Sequence, residues 1–431
     1  MVRTVPAAPR DFFFQSGRGT GRGSASDQQI RVLLRFAGRL DLGRLRAALA
    51  AVVAEDPILR ARFVEERPFV ARWELGEAPA PACELAESGD PDAAEAAVRA
   101  FLADLEIRPD GPYFRVRVIR GPAGDALCLR VDHRLCDGGG TKLLAYRLCD
   151  RYRRLGAGAP LPPPRADPAP RTLAGLTGRV APPAPPGAPP LRALTYALPR
   201  RGFENERPAL AVRVVAAETV AAVRRAGKPL GATLTDAMLV ALTRALAPHA
   251  TVPPGEPLAV MVSADLRARL PPGTPEALGN LSQGFMPPLR CDPARPFREA
   301  LAETAQAMAG IRAGLTLDDA LSEEAAYEAS FRRWMADPEL FFSRAARATT
   351  FVLLSNVGVL DEPCLDLGGP ALSDAQLLGT VALGRELLLC ASSFRGALTL
   401  STGYCASDVD PERIEGTVER MAAELERFGG R

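Results

Sequence analysis

Ala126-Leu127-Cys128-Leu129-Arg130-Val131-Asp132-His133-Arg134-Leu135-Cys136-Asp137-Gly138-Gly139-Gly140 joins an alternating apolar run to a histidine, an aspartate and three glycines. The alternation predicts a strand, which delivers one of only two histidines in the chain to a loop. The glycines let the backbone turn tightly and approach another group closely. Leu143, Leu144, Tyr146 and Leu148 then predict a helix over Thr141 to Arg154. An imidazole titrates near neutrality, so at such a junction it can take a proton in one step and return it in the next. A histidine at a strand end also serves as a hydrogen-bonded rim residue, and the local pattern leaves both roles open.

Cys136 is the alternative nucleophile, but a cysteine mechanism needs the base to face the sulfur, which i, i+3 neighbours in an extended loop rarely do. Eight cysteines (Cys83, Cys128, Cys136, Cys149, Cys291, Cys364, Cys390, Cys405) include no Cys-x-x-Cys pair. With the histidines far apart as well, neither a metal site nor a disulfide framework is expected.

The His133-x-x-x-Asp137-Gly138 segment resembles the His-His-x-x-x-Asp-Gly signature of the CoA-dependent acyltransferase superfamily, which includes chloramphenicol acetyltransferase, nonribosomal peptide condensation domains and polyketide-associated and wax-ester-type acyltransferases. The resemblance implies that His133 is the general base and that Asp137 pairs with an arginine to hold the loop. Asp132 stands where the family has its first histidine, which leaves the base intact and changes the local charge and packing. Outside this segment, Gly38-Arg39-Leu40-Asp41 and Pro57-Ile58-Leu59-Arg60 resemble the opening of condensation domains, and also suit an ordinary β-α-β start. Asp265-Leu266-Arg267 followed by Gly279-Asn280 resembles a further family pattern, making Arg267 the candidate partner of Asp137 and Asn280 a supporting residue. Ser355-Asn356-Val357-Gly358 resembles the Ser-Asn-x-Gly near the substrate tunnel of the polyketide-associated branch; a strand ending in a glycine turn reads equally well.

The 431 residues suggest two lobes, and 47% hydrophobic content is enough for substantial cores. A formal net charge of +2 creates no global field for nucleic acid or anionic lipid, so no nucleic-acid partner is expected. The basic residues are arginine apart from Lys142 and Lys228, a compositional bias without functional content. No continuous apolar leader or run of eighteen apolar residues occurs, which predicts a cytoplasmic protein without integral membrane association.

Along the chain, Gly17 to Ser24 looks like a flexible loop; it lacks the Gly-Lys-Ser/Thr of a P-loop, and if it meets a ligand, Arg18 and Arg22 would take the phosphates of CoA or phosphopantetheine. Strands are expected at Gln29 to Phe36, Ile58 to Val64 and Phe114 to Val118, and helices after Asp41 and from Asp90-Pro91 to about Leu105. Proline dominates residues 156 to 191, which read as an inter-lobe crossover without a core helix or strand. In the second half, strands are expected at Leu210 to Ala216, Leu258 to Arg267, Thr349 to Ser355, Glu386 to Ser392 and Ala397 to Thr402. Thr233 to Asp236 has capping-box spacing, the helix after it ends at an exposed His249, further helices fall at Pro296 to Ala313 and Ser322 to Met335, and Asp410-Pro411 starts a closing helix.

The expected architecture is α/β: an N-terminal lobe over 1–160 carrying the His-x-x-x-Asp-Gly loop, a crossover over 161–191 and a C-terminal lobe over 192–431. By the resemblance, each lobe is a chloramphenicol-acetyltransferase-like mixed or antiparallel sheet covered by helices, with the active site in a tunnel between them. The expected reaction moves an acyl group from a thioester, on CoA or a carrier protein's phosphopantetheine, to an alcohol or amine. No bound cofactor or metal is needed, and Gly138 is the candidate to offer an oxyanion amide. A monomer is expected, because two-lobed members of the family carry a complete site in one chain. Asp132 also motivates a second reading, a non-catalytic lobe pair that binds a carrier protein or acyl chain. Acetyl transfer to an antibiotic remains a variant of the first.

Overall fold

The computed structural model describes residues 2–8, 10–11, 29–66, 70–106, 110–180, 195–202, 204–290, 292–336, 350–382 and 386–430, with side chains 65–66, 70, 327–336 and 351 left aside. The Gly17 to Ser24 run, Cys291 and the proline repeats at 182–190 lie outside them.

Two mixed sheets organise the chain. The first runs in the order Leu372–Leu378, Gln29–Phe36, Gly124–Asp132, Phe114–Gly121, Cys83–Glu87, antiparallel except for its last pair. The second runs Ser282–Phe285, Val260–Asp265, Phe351–Val359, Glu386–Phe394, Ala397–Cys405, Pro208–Val215, with parallel pairs on either side of Phe351–Val359. One strand crosses between the halves: Leu372–Leu378 lies late in the sequence and completes the sheet of the first lobe against Gln29–Phe36.

Period-2 alternation on the central Gly124–Asp132 strand sorts its side chains onto two buried faces. Leu127, Leu129 and Val131 pack in one core with Leu45, Leu49 and Val52 of the Leu42–Glu55 helix and Leu144, Leu148 and Tyr152 of the Gly138–Gly156 helix. Ala126 and Cys128 face Val98, Phe101 and Leu102 of the Pro91–Ala103 helix. The second lobe has its own core, in which the Leu234–Ala245 and Pro411–Gly429 helices cover the sheet with Leu239, Leu242, Val418 and Met421.

Local chemistry sets the helix starts. Asp41 Oδ1 accepts from the Arg44 amide at 3.0 Å, and Thr233 with Asp236 forms a reciprocal capping box. Three expectations are corrected. Pro57 starts a 3-10 turn over Pro57–Arg60, so the second strand begins only at Arg62 and pairs with Val70–Glu74. The crossover is not devoid of core structure: Leu173–Thr177 is a short helix with Leu173 and Leu176 buried. His249, in the Ala247–His249 turn, is half-buried rather than exposed, and its carbonyl accepts from the Ala197 amide at 2.8 Å.

Candidate active site

The strand that carries the histidine ends in register, Gln29 opposite Asp132, and the backbone then folds back with the Leu135 amide bonded to the Asp132 carbonyl at 2.8 Å. Leu135 and Cys136 are fully buried and pin the loop from below, leaving His133 half-buried at its crest. Asp137 then caps the Gly138–Gly156 helix through Oδ1, which accepts from the Gly140 amide at 2.8 Å.

Asp137 also ties the loop to the second lobe. Its Oδ1 lies 2.9 Å from Arg267 Nη1, and its Oδ2 accepts from the Leu281 amide at 2.7 Å. Arg267 donates through Nη2 to the Gly279 carbonyl at 2.9 Å and pairs with Asp265 at 3.1 Å. The glycine run makes room for this contact. A Cβ on Gly139 would stand 2.5 Å from both Arg267 Nη1 and Asp265 Oδ2, and one on Gly140 would stand 2.5 Å from the Cβ of Cys136.

Asn280 sits between the backbone of the loop and the imidazole. Its Nδ2 donates to the carbonyl of His133 at 2.9 Å, and its Oδ1 lies 3.0 Å from His133 Nδ1. With the amide oxygen facing the ring, Nδ1 carries the proton and Nε2 is the basic nitrogen. Burial lowers the proton affinity of His133 below the ordinary imidazole value, against the opposing pull of Asp137, so the ring is neutral and able to accept a proton near pH 7.

Asp132 grips Arg134 with both carboxylate oxygens, at 2.8 Å to Nε and 2.6 Å to Nη2. The guanidinium of Arg134 in turn lies 4.4 Å over the Tyr113 ring. The acid that replaces the first motif histidine thus serves loop packing. Cys136 is no nucleophile in this geometry: its thiol is fully buried beside Thr141 and pushed up to about 12 by desolvation.

The structure gathers His133, Asp137, Arg267 and Asn280 into one constellation and places the Ser-Asn-x-Gly residues on the adjoining strand. That strand does not end at the glycine. It continues to Val359 through a bulge between Asn356 and Gly358, where Asn356 Oδ1 accepts from the Gly358 amide at 3.0 Å and Gly358 takes φ 80°. Asn356 also donates to Thr235 Oγ1 at 2.9 Å, while Ser355 accepts from Ser263 at 2.9 Å. Asn356 and Gly358 line an open cleft of about 350 Å³ together with Arg224, Thr233, Thr235 and Ser393; Ser355 and His133 are not in its lining. Gly138 connects the two regions, because a Cβ there would lie 3.1 Å from Val357 Cγ2. Lys142, one turn further along the helix, donates to the carbonyls of Val357 and Val359 at 3.2 and 3.4 Å.

Two buried residues escaped the sequence. Asp11 accepts from Asn280 Nδ2 at 3.0 Å, and Arg171, from the proline-rich crossover, donates to the carbonyls of Arg134, Leu135 and Leu278 at 2.9, 3.1 and 2.7 Å. An acid flanked by Ala7, Ala8 and Phe12 to Phe14 was a signal for the first, since such a carboxylate must be paired to be buried.

Two α/β lobes joined across a His-x-x-x-Asp-Gly loop have the fold of condensation domains, as comparison with known proteins shows. Residues 22–168 match the family model of the condensation domain. The uncharacterized protein Rv2305 of Mycobacterium tuberculosis is 38% identical over 117 residues, 27% of this chain and 27% of the relative, so the match spans about a quarter of that protein's length. Polyketide synthase associated protein 5 from Mycobacterium tuberculosis superposes with a TM-score of 0.67 at 13% identity, covering 100% of this chain and 98% of that one. The starter condensation domain of rhizomide synthetase RzmA, solved as a mutant with C8-CoA and Leu-SNAC, gives a TM-score of 0.66 at 15% identity over 99% of this chain and 95% of that one. Among the described residues, no helix is long and apolar enough to cross a membrane.

Proposed function

We propose that this protein is an acyltransferase that moves an acyl group from a thioester to an alcohol or amine, with His133 as general base. The observation that carries the proposal is the Asn280 Oδ1 contact at His133 Nδ1, which leaves Nε2 as the basic nitrogen on a loop held by Asp137 and Arg267. Nε2 takes the proton of the acceptor as its oxygen or nitrogen bonds to the thioester carbonyl. The carbon–sulfur bond then breaks, and the same proton passes to the departing thiolate. A thioester is already activated, so positioning and one near-neutral base suffice without a covalent enzyme intermediate. Gly138, at the first position of its helix, is the amide proposed to face the developing oxyanion.

Acyl-CoA and carrier-bound phosphopantetheine are both donors of the required class; the C8-CoA complex of the rhizomide synthetase domain supports a thioester of this type. The non-catalytic alternative drew on Asp132; that carboxylate engages Arg134, and His133 is not in the lining of the cleft, so turnover decides between the two readings. The test is thiol release from acetyl- to palmitoyl-CoA and from acylated carrier protein, with a pool of alcohols and amines. Acceptor-dependent release that falls by roughly a hundredfold or more in His133→Ala supports the proposal. Equal rates in the two proteins overturn it, and acylated-carrier binding without turnover would assign the non-catalytic role.

A further inference from the structure

Asp11 stands one residue removed from the imidazole, entirely buried, and five donors converge on its carboxylate. Oδ2 accepts from the Ala8 amide, Trp73 Nε1 and Arg171 Nε at 3.0, 3.0 and 3.2 Å, and Oδ1 accepts from Arg171 Nη2 and Asn280 Nδ2 at 2.9 and 3.0 Å. Arg171 supplies the counter-charge, and its guanidinium lies 5.1 Å over the Trp73 ring. The carboxylate is therefore fixed in place by groups from four separate parts of the chain.

An asparagine amide has two ends of nearly the same shape, and only its partners decide which end faces where. Asn280 Nδ2 meets three acceptors: Asp11 Oδ1 at 3.0 Å, the His133 carbonyl at 2.9 Å and the Arg134 carbonyl at 3.4 Å. The carboxylate is the charged member of the three, and a charge-assisted hydrogen bond is about twice as strong as a neutral one. A reversed amide would set its oxygen against all three acceptors and turn its N–H toward His133 Nδ1. The ring would then face a donor at Nδ1, which opposes the hydrogen bond that the ring also makes to its own main chain. The tautomer with the proton on Nε2 and no base where the acceptor must be met would gain population.

We propose that Asp11 is a positioning residue: through the amide of Asn280, it holds His133 in the Nδ1–H tautomer. The proposal deepens the acyl-transfer reading and rests on it for its meaning in turnover, but the ring can be observed directly. The chain has only two histidines, so nitrogen-15 long-range correlation spectra resolve both rings, with His249 as an internal control.

The variant is Asp11→Asn. Three of the donors converge on the Oδ2 side, so the new amide turns its oxygen there and its NH₂ toward Asn280, which favours reversal of Asn280. Near pH 8, wild-type His133 is expected as the Nδ1–H tautomer. Asp11→Asn should shift its tautomer ratio toward Nε2–H by roughly tenfold, on the scale set by one charge-assisted hydrogen bond, while His249 stays unchanged. A wild-type ring protonated at Nε2, or an unchanged ratio in folded Asp11→Asn, overturns the proposal. If Asp11→Asn does not unfold cooperatively on heating, Asn280→Ala decides instead: a ring that keeps its Nδ1–H preference without the amide overturns the proposal, and one that loses it supports the relay. Thiol release measured alongside separates the two ideas, since equal turnover by wild type and His133→Ala sinks the base while the spectra still decide the role of Asp11.

Discussion

Asp137 and Arg267 meet at 2.9 Å across the boundary of the two lobes, and Asp137 at the same time caps the helix that follows the His133 loop. One carboxylate thereby couples the position of the loop to the second lobe. Removing the arginine leaves that carboxylate buried without its counter-charge. Arg267→Ala is expected to cost about 3–5 kcal/mol of stability by urea unfolding, the usual effect of breaking a buried pair from one side. Arg267→Lys should recover only part of it, because a single ammonium cannot reach Asp137 and the Gly279 carbonyl in the same fork. A loss below about 1 kcal/mol, typical of an exposed pair, would show that the contact does not hold the lobes.

Gly139 has no room for a methyl group. Its Cβ would fall 2.5 Å from Arg267 Nη1 and Asp265 Oδ2, so Gly139→Ala must displace the ion pair. The substitution is expected to destabilise by about 1–3 kcal/mol despite the better helix propensity of alanine. Thermal unfolding of the single variant checks this, and a neutral or stabilising result would place the arginine elsewhere.

The pH dependence follows from burial. His133 has its proton affinity lowered below the ordinary value of 6.5 by desolvation, so the neutral ring persists as pH falls through that value. The rate limb that reports the base should have its midpoint below 6.5 and be flat above it, measured as kcat/KM for thiol release. Stability moves with the same sign. Between the folded and the ordinary value the unfolded chain binds more protons, so the contribution of His133 is complete above 6.5 and declines as pH falls toward the folded value. His249 is lowered too and adds to the slope, so the share of His133 is the difference between wild type and His133→Gln. A midpoint above 7 would contradict the burial seen at this ring.

Cys136 should be chemically silent. Its thiol is buried and pushed up to about 12, which leaves almost no thiolate at neutral pH. Native protein is expected to leave Cys136 unlabelled by iodoacetamide in a peptide map, and Cys136→Ala to keep turnover within about threefold while losing stability through the vacated volume. Abolished turnover in a folded Cys136→Ala would return the sulfur to the mechanism.

Much of the site was legible because its determinants are local. Strand alternation before His133, the glycines that admit Arg267, the Asp41 cap and the Thr233 capping box are all encoded within a few residues of where they act. Pairing Asp137 with Arg267 and adding Asn280 required a family resemblance, since nothing local links positions so far apart. The partners of Asp11, and Arg171 altogether, were out of reach for a related reason. Their partners come from Ala8, Trp73, Leu135, Leu278 and Asn280, and a buried polar network of that kind leaves no periodicity in any one segment. The proline content of the crossover pointed to extended chain and gave no hint that its arginine would be inserted beneath the His133 loop.

The Leu372–Leu378 strand has a consequence for the order in which the protein is made. Ser373 bonds to the Arg35 carbonyl across a sequence separation of 338 residues, so the nascent first lobe leaves the ribosome with one sheet edge open and waits for most of the polypeptide to be synthesised. An open edge invites pairing with the wrong chain, and contacts this distant in sequence form slowly. Expression of residues 1–180 alone should therefore yield aggregates, whereas an added peptide spanning 370–380 should slow refolding of the 431-residue chain by competing for that edge. Dependence on a late strand makes emergence of Leu372–Leu378, rather than emergence of the His133 loop, the event that commits the first lobe to its native form.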